Sequence, residues 1–136
     1  MRAAESPARL RAAFKTPAGF DEREDRVQGV PVLTLTRGDR CIHIQVFGYL
    51  GSRFRKPEEY LASEPSRAEA GTIKVAGAKR TLYRRSVSVP GEGAVVEDSL
   101  LIPSGKSFMV LSYVSPAGLR DAAWKAFLKS FRLKKV

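Results

Sequence analysis

Cysteine, histidine and tryptophan each occur once in this chain, as Cys41, His43 and Trp124. One cysteine excludes an intramolecular disulfide and a thiolate metal cluster built within one chain. One histidine leaves little for metal ligation, and no spacing of His, Cys, Asp or Glu resembles a zinc or calcium motif. We therefore expect neither a metal nor a cofactor. Long apolar runs are also missing: nothing approaches the roughly 20 residues of a transmembrane helix. Met1-Arg2-Ala3-Ala4-Glu5-Ser6-Pro7 lacks the apolar stretch of a signal peptide. The sequence reads as a soluble protein, cytoplasmic as it stands and extracytoplasmic if an export signal once preceded Met1.

Acidic residues are the other shortage, with 14 against 24 Lys and Arg, a formal net charge of +10 and a pI near 10.2. Such an excess favours anionic partners: nucleic acid, lipid headgroups or an acidic protein surface. Residues 1–67 hold 12 basic and 9 acidic side chains, a net of +3, whereas residues 68–136 hold 12 and 5, a net of +7. At 136 residues the chain is long enough for one hydrophobic core, and neither a repeat nor a linker divides it. We read 1–11 as a loose N-terminal segment, with Pro7 as a helix breaker, and 12–136 as a single α+β domain.

Periodicity supplies the elements. Phe14 and Phe20 flank a Pro/Gly turn and read as core anchors. Asp21-Glu22-Arg23-Glu24-Asp25-Arg26 reads as a solvated turn. Residues 30–36 and 41–47 are β-branched runs separated by Arg37-Gly38-Asp39-Arg40, a hairpin pattern, and Ile42, Ile44 and Val46 share a core face. Pro57-Glu58-Glu59 opens a short helix, since proline suits the first position and carboxylates suit the first turn; Pro65 stops it. After a break at Gly71, residues 72–75 and 79–89 read as strands. Residues 94–102 and 107–114 form the hairpin expected at the centre of the sheet, because their apolar text is nearly continuous. A closing amphipathic helix is expected from Ser115 as N-cap and Pro116 as first residue. It would bury Trp124, Phe127, Leu128 and Phe131 and turn Lys125, Lys129 and Arg132 to solvent. Consecutive strands with helices between and after them predict a largely antiparallel central sheet, flanked by helices and with the C-terminal helix packed on it.

Three phrases carry a resemblance that spans nearly the whole chain: Phe14-Lys15-Thr16-Pro17-Ala18-Gly19-Phe20, Leu101-Ile102-Pro103-Ser104-Gly105-Lys106-Ser107-Phe108 and Trp124-Lys125-Ala126-Phe127-Leu128-Lys129-Ser130-Phe131-Arg132. In order and spacing they resemble the PsbP-like fold, which includes the PsbP subunits of photosystem II, the Ran-binding nuclear import factors and small bacterial proteins. The resemblance implies an antiparallel sheet covered by helices and a role in binding or assembly. It transfers no specific site.

Groups for catalysis are few. Cys41 and His43, two apart on a strand, share the face turned away from Ile42 and Ile44, but the pattern offers no third group to complete a nucleophilic site. Glu97 and Asp98 are adjacent on a strand and point to opposite faces, which disfavours a carboxylate dyad; cross-strand pairing with Arg84 or Arg85 is the simpler role. Gly105-Lys106-Ser107 lacks the upstream glycine of a phosphate loop. What remains is basic: Arg53, Phe54, Arg55 and Lys56 in a loop, and Lys79, Arg80, Arg84 and Arg85 along one strand. Arginine forks suit phosphate or carboxylate, and an interleaved aromatic suits base stacking. The expectation is a non-catalytic binding or accessory domain that engages a protein partner; the alternative is a nucleic-acid or other polyanion-binding module using these eight residues, and an enzyme is a minor third.

Overall fold

The computed structural model describes residues 7–27, 30–48, 53–91, 93–116 and 122–134. The chain runs α1 (Pro7–Arg11), β1 (Ala12–Ala13), β2 (Asp21–Val27), β3 (Val30–Arg37), β4 (Arg40–Phe47), α2 (Pro57–Ala62), β5 (Ala68–Val75), β6 (Ala78–Val89), β7 (Gly93–Ser104), β8 (Ser107–Pro116), α3 (Ala122–Ser130) and β9 (Arg132–Leu133). Seven strands form one antiparallel sheet in the order β2-β3-β4-β8-β7-β6-β5, and β1 pairs with β9. The architecture is α+β, dominated by the sheet, with short helices beside it.

Alternation along the strands divides the apolar residues between two faces. On the inner face, Leu33 and Leu35 meet Ile44 and Ile42, and Ile44 meets Leu111, which meets Leu100 in turn. This face joins Trp124, Phe127, Leu128 and Phe131 in the main core. The Trp124 ring stacks on Tyr113 at 5.1 Å, and Phe14 lies 5.5 Å from Phe127. Burying each such side chain contributes about 1.5–3 kcal/mol. β8 is the fourth of the seven strands and its residues 108–113 are all buried, as its nearly continuous apolar text predicts.

Five local expectations are corrected. The charged run at Asp21–Val27 is an edge strand, not a turn, paired along its length with β3; a charged edge strand satisfies one side of its backbone while discouraging further strand addition. Pro7 starts a helix instead of breaking one, because proline is well tolerated at a first position. That helix buries Ala8, and Arg9 donates to Glu22 and to the Phe14 carbonyl, so the second half of the segment read as loose is anchored. Gly71 lies within β5, where the register with β6 shifts between Glu69 and Thr72, and does not end the strand. Ser115 and Pro116 belong to β8, Ser115 opposite Val96, so the closing helix begins later. Arg132 leaves that helix for β9, opposite Ala13.

Candidate functional site

The sheet order places β4 third and β5 seventh, so the connection between them crosses the outer face. It carries α2, and Tyr60 buries there with Phe47, Phe108 and Val110 in a second, smaller core. Phe54 stands 5.3 Å from Phe47 and 5.4 Å from Tyr60 in edge-on contacts. These aromatics pin the crossover to one end of the outer face.

Beside them lies a cleft of about 270 Å³, bounded by Arg53, Phe54 and Tyr60 from the crossover and by His43, Gln45 and Ser112 from the sheet. Arg67, Arg85 and Glu97 also line it. Glu97 accepts from Arg85 Nε at 2.8 Å and from Nη2 at 3.3 Å, and Arg85 Nη1 donates to Glu64 at 2.9 Å. The fork raises the Arg85 pKa, chiefly through its hydrogen bonds to Glu97. Arg67 lies 4.4 Å over the Tyr60 ring and donates to the Tyr60 hydroxyl at 3.1 Å and to its carbonyl at 3.4 Å. The Arg67 side chain is only 8% exposed, and its Nε, 3.8 Å from Glu97 Oε1, has no hydrogen-bond partner. Burial pushes the Tyr60 phenol pKa up against the opposing pull of Arg67.

On the same face His43 sits directly opposite Thr34. Its Nδ1 is 3.4 Å from Thr34 Oγ1 and its Nε2 is 3.1 Å from Cys41 Sγ. The arrangement has the outline of a nucleophile, a base and an orienting group, but the electrostatics oppose it. Burial raises the Cys41 pKa to about 11, with Arg23 pulling it down and Asp25 pushing it up, and burial lowers that of His43. At neutral pH the pair is a thiol beside a neutral imidazole, whereas a cysteine nucleophile requires the thiolate.

The eight basic-cluster residues do not converge. Arg53, Phe54 and Arg85 line the cleft. Arg55 and Lys56 are exposed ahead of α2. Lys79 and Arg80 line a separate shallow hollow against Pro57, Glu58 and Leu61, and Arg80 Nε donates to the Val75 carbonyl at 3.0 Å. Arg84 points to the inner side of the sheet, where it forks onto Asp98 at 2.7 and 3.1 Å. The cross-strand pairing expected of Glu97 or Asp98 therefore forms for both, one on each face. Arg67 and Tyr60 are cleft residues that sequence reasoning passed over. Arg67 follows a proline stop in an irregular stretch, and no local pattern signals that it becomes buried. Among the described residues no three of His, Cys, Asp and Glu gather to hold a metal ion, and no helix is long and apolar enough to cross a membrane.

Compared with known protein families and with curated proteins, the sequence matches none. Its fold is similar to that of solved structures. A protein from Bacteroides thetaiotaomicron VPI-5482 superimposes with a TM-score of 0.63 at 12% identity, over 91% of this chain and 45% of the other. LpqN of Mycobacterium tuberculosis, involved in cell envelope biogenesis, superimposes with a TM-score of 0.53 at 15% identity, over 91% of this chain and 83% of its own. The chain thus spans under half of the Bacteroides protein, and at these identities the likeness is one of fold.

Proposed function

We propose that this chain is a non-catalytic binding domain of PsbP-like architecture, and that it holds an extended segment of a protein partner in the outer-face cleft. The observation that carries the reading is the 3.8 Å gap between Arg67 Nε, a buried donor without a hydrogen bond, and Glu97 Oε1, an acceptor. A buried unmade hydrogen bond costs about 1–3 kcal/mol, so a ligand acceptor that reaches Nε when the Arg67 side chain shifts toward the cleft gains at most that much. One residue of an extended chain presents its C=O and N–H to the same side, as in an antiparallel ladder. It can accept from Arg67 and donate to Glu97 together. Phe54 and the Tyr60 edge offer apolar surface beside that point.

The quiet Cys41 and His43 pair supports binding over chemistry. The nucleic-acid alternative loses support from the separation of the basic residues. Arg84 and Arg85 face opposite sides and are each neutralised by a carboxylate, which leaves no continuous cationic track for a phosphate backbone among the described residues.

The test is to pan a random-peptide display library on the folded protein, then titrate purified enriched peptides against wild type and Arg67→Met. The expected result is peptides bound about tenfold more weakly by the variant, a difference of one charge-assisted hydrogen bond. Peptides bound equally by both, or tighter and steeply salt-dependent binding of single-stranded DNA, would overturn the proposal.

A further inference from the structure

A larger hollow, about 580 Å³, opens between the β5–β6 turn and the end of α3. It belongs to the inner side of the sheet, because its floor is Val75, Leu128 and Phe131, all members of the main core. The half-buried Leu133 of β9 completes the apolar surface. Exposed Lys74, Lys129 and Arg132 rim it, and among the described residues no carboxylate lines it. This is the opposite of the outer cleft, where Arg85 is shared by two glutamates.

The turn that walls the hollow is unusual in its own right. Ala76 and Gly77 both have positive φ, 53° and 82°, as a two-residue hairpin turn demands. A left-handed alanine costs roughly 1–2 kcal/mol, and asparagine, aspartate or glycine is the ordinary choice. Alanine keeps a methyl packed on the core at this wall, where a polar side chain would have interrupted the apolar surface.

The shape and charge limit what fits. Leu10 is the one large apolar side chain that is prominently exposed among the described residues, so the hollow offers no wedge for entering a bilayer. Val75 and Phe131 are each 2% exposed and Leu128 3%, so they give no platform for stacking a base, and the apolar surface open to a ligand is that of the part-buried Ala76 and Leu133. A concave apolar floor inside three cations is complementary to a protruding segment that carries carboxylates around an apolar side chain. We infer that this hollow docks an acidic segment of a protein partner, its carboxylates meeting Lys74, Lys129 and Arg132 and one apolar side chain packing on Ala76 and Leu133 between them. The surface is distinct from the outer cleft and lies on the other side of the sheet, so the chain becomes a bridge between two polypeptides.

The experiment is a fluorescence-anisotropy titration of the whole chain with a labelled peptide of Glu-Glu-Leu repeats. A Glu-Glu-Ser version, single-stranded DNA and phosphatidylglycerol vesicles serve as competitors. We expect the Lys129→Glu/Arg132→Glu variant, with unchanged circular dichroism, to bind the peptide at least about tenfold more weakly, since like charges across an interface cost several kcal/mol. Arg55→Glu/Lys56→Glu, an equal change of net charge elsewhere, is expected to bind as wild type, as is Arg67→Met, which separates this surface from the outer cleft. The Ser-containing peptide is expected to compete poorly. Equal losses in the two charge-reversal variants would reduce the effect to net charge and overturn the assignment, as would stronger competition by DNA or vesicles than by unlabelled Glu-Glu-Leu peptide.

Discussion

Cys41 and His43 lie on the same face of β4, with the thiol sulfur 3.1 Å from the imidazole Nε2. The contact alone resembles an activated cysteine. Its surroundings reverse that meaning, because burial holds both groups in their neutral forms. A site is defined by the charge its environment permits as much as by the distance between its atoms.

The thiol gives the first prediction. With its pKa raised to about 11, Cys41 reacts with iodoacetamide slowly at neutral pH, and the rate climbs without a plateau as pH approaches that value. Alkylation rates followed by mass spectrometry across the alkaline range check it. A rate already on a plateau near neutrality would mean a thiolate–imidazolium pair.

His43 couples protonation to folding. Burial lowers its pKa from the ordinary 6.5, so below that value the unfolded chain binds more protons than the folded one, and stability falls as pH falls. The contribution is complete above about 6.5 and is lost on acidification through and below it. His43→Gln lacks this penalty. The difference in Tm, wild type minus variant, should shrink from pH 8 to pH 5; a constant difference would contradict the assigned shift.

Neighbouring carboxylates on β7 should behave differently. Glu97→Gln removes the bidentate partner of Arg85, leaving it Glu64, and the carboxylate 3.8 Å from Arg67 Nε, whose side chain is 8% exposed; the expected loss is roughly 2–3 kcal/mol. Asp98→Asn removes the partner of Arg84, which is 51% exposed, and should cost under about 1 kcal/mol. Urea denaturation of both variants decides whether the outer-face network is the stronger one.

Gly48 ends β4 at φ 90°, and its N–H donates to the Phe54 carbonyl at 2.9 Å, which ties the crossover back to the sheet. A methyl here would meet Ser107 Cα at 2.9 Å and the Lys106 carbonyl oxygen at 3.2 Å, whereas at Gly38, φ 58°, it would meet nothing. Gly38→Ala therefore carries only the conformational cost of about 1–2 kcal/mol. Gly48→Ala adds a clash with backbone that cannot turn aside, and should cost at least about 1 kcal/mol more. Thermal denaturation of the two variants makes the comparison.

Much of the fold can be read along the chain, because strands and helices follow from the spacing of apolar residues within short windows. The hairpins at Gly38 and Gly105, the apolar text of β8 and the row Trp124, Phe127, Leu128 and Phe131 all carry their structure locally. The misreadings share one cause. Asp21–Val27 looks like a turn because its extended form is held by hydrogen bonds to β3 and not by its own side chains, and Arg132 looks helical until the pairing of β9 with β1 takes it.

The sites belong to longer range. Composition and alternation were enough to specify a basic, sheet-rich chain with Glu97 and Asp98 on opposite faces and little material for catalysis. Which cations stand together depended on strand order. Placing β5 four positions from β4 sends Arg53 and Arg67 across the outer face to Arg85 and Glu97, and returns Lys74 beside Lys129 and Arg132 at the end of α3. Those residues are far apart in sequence, and a local pattern cannot encode a contact that exists only after the sheet has closed.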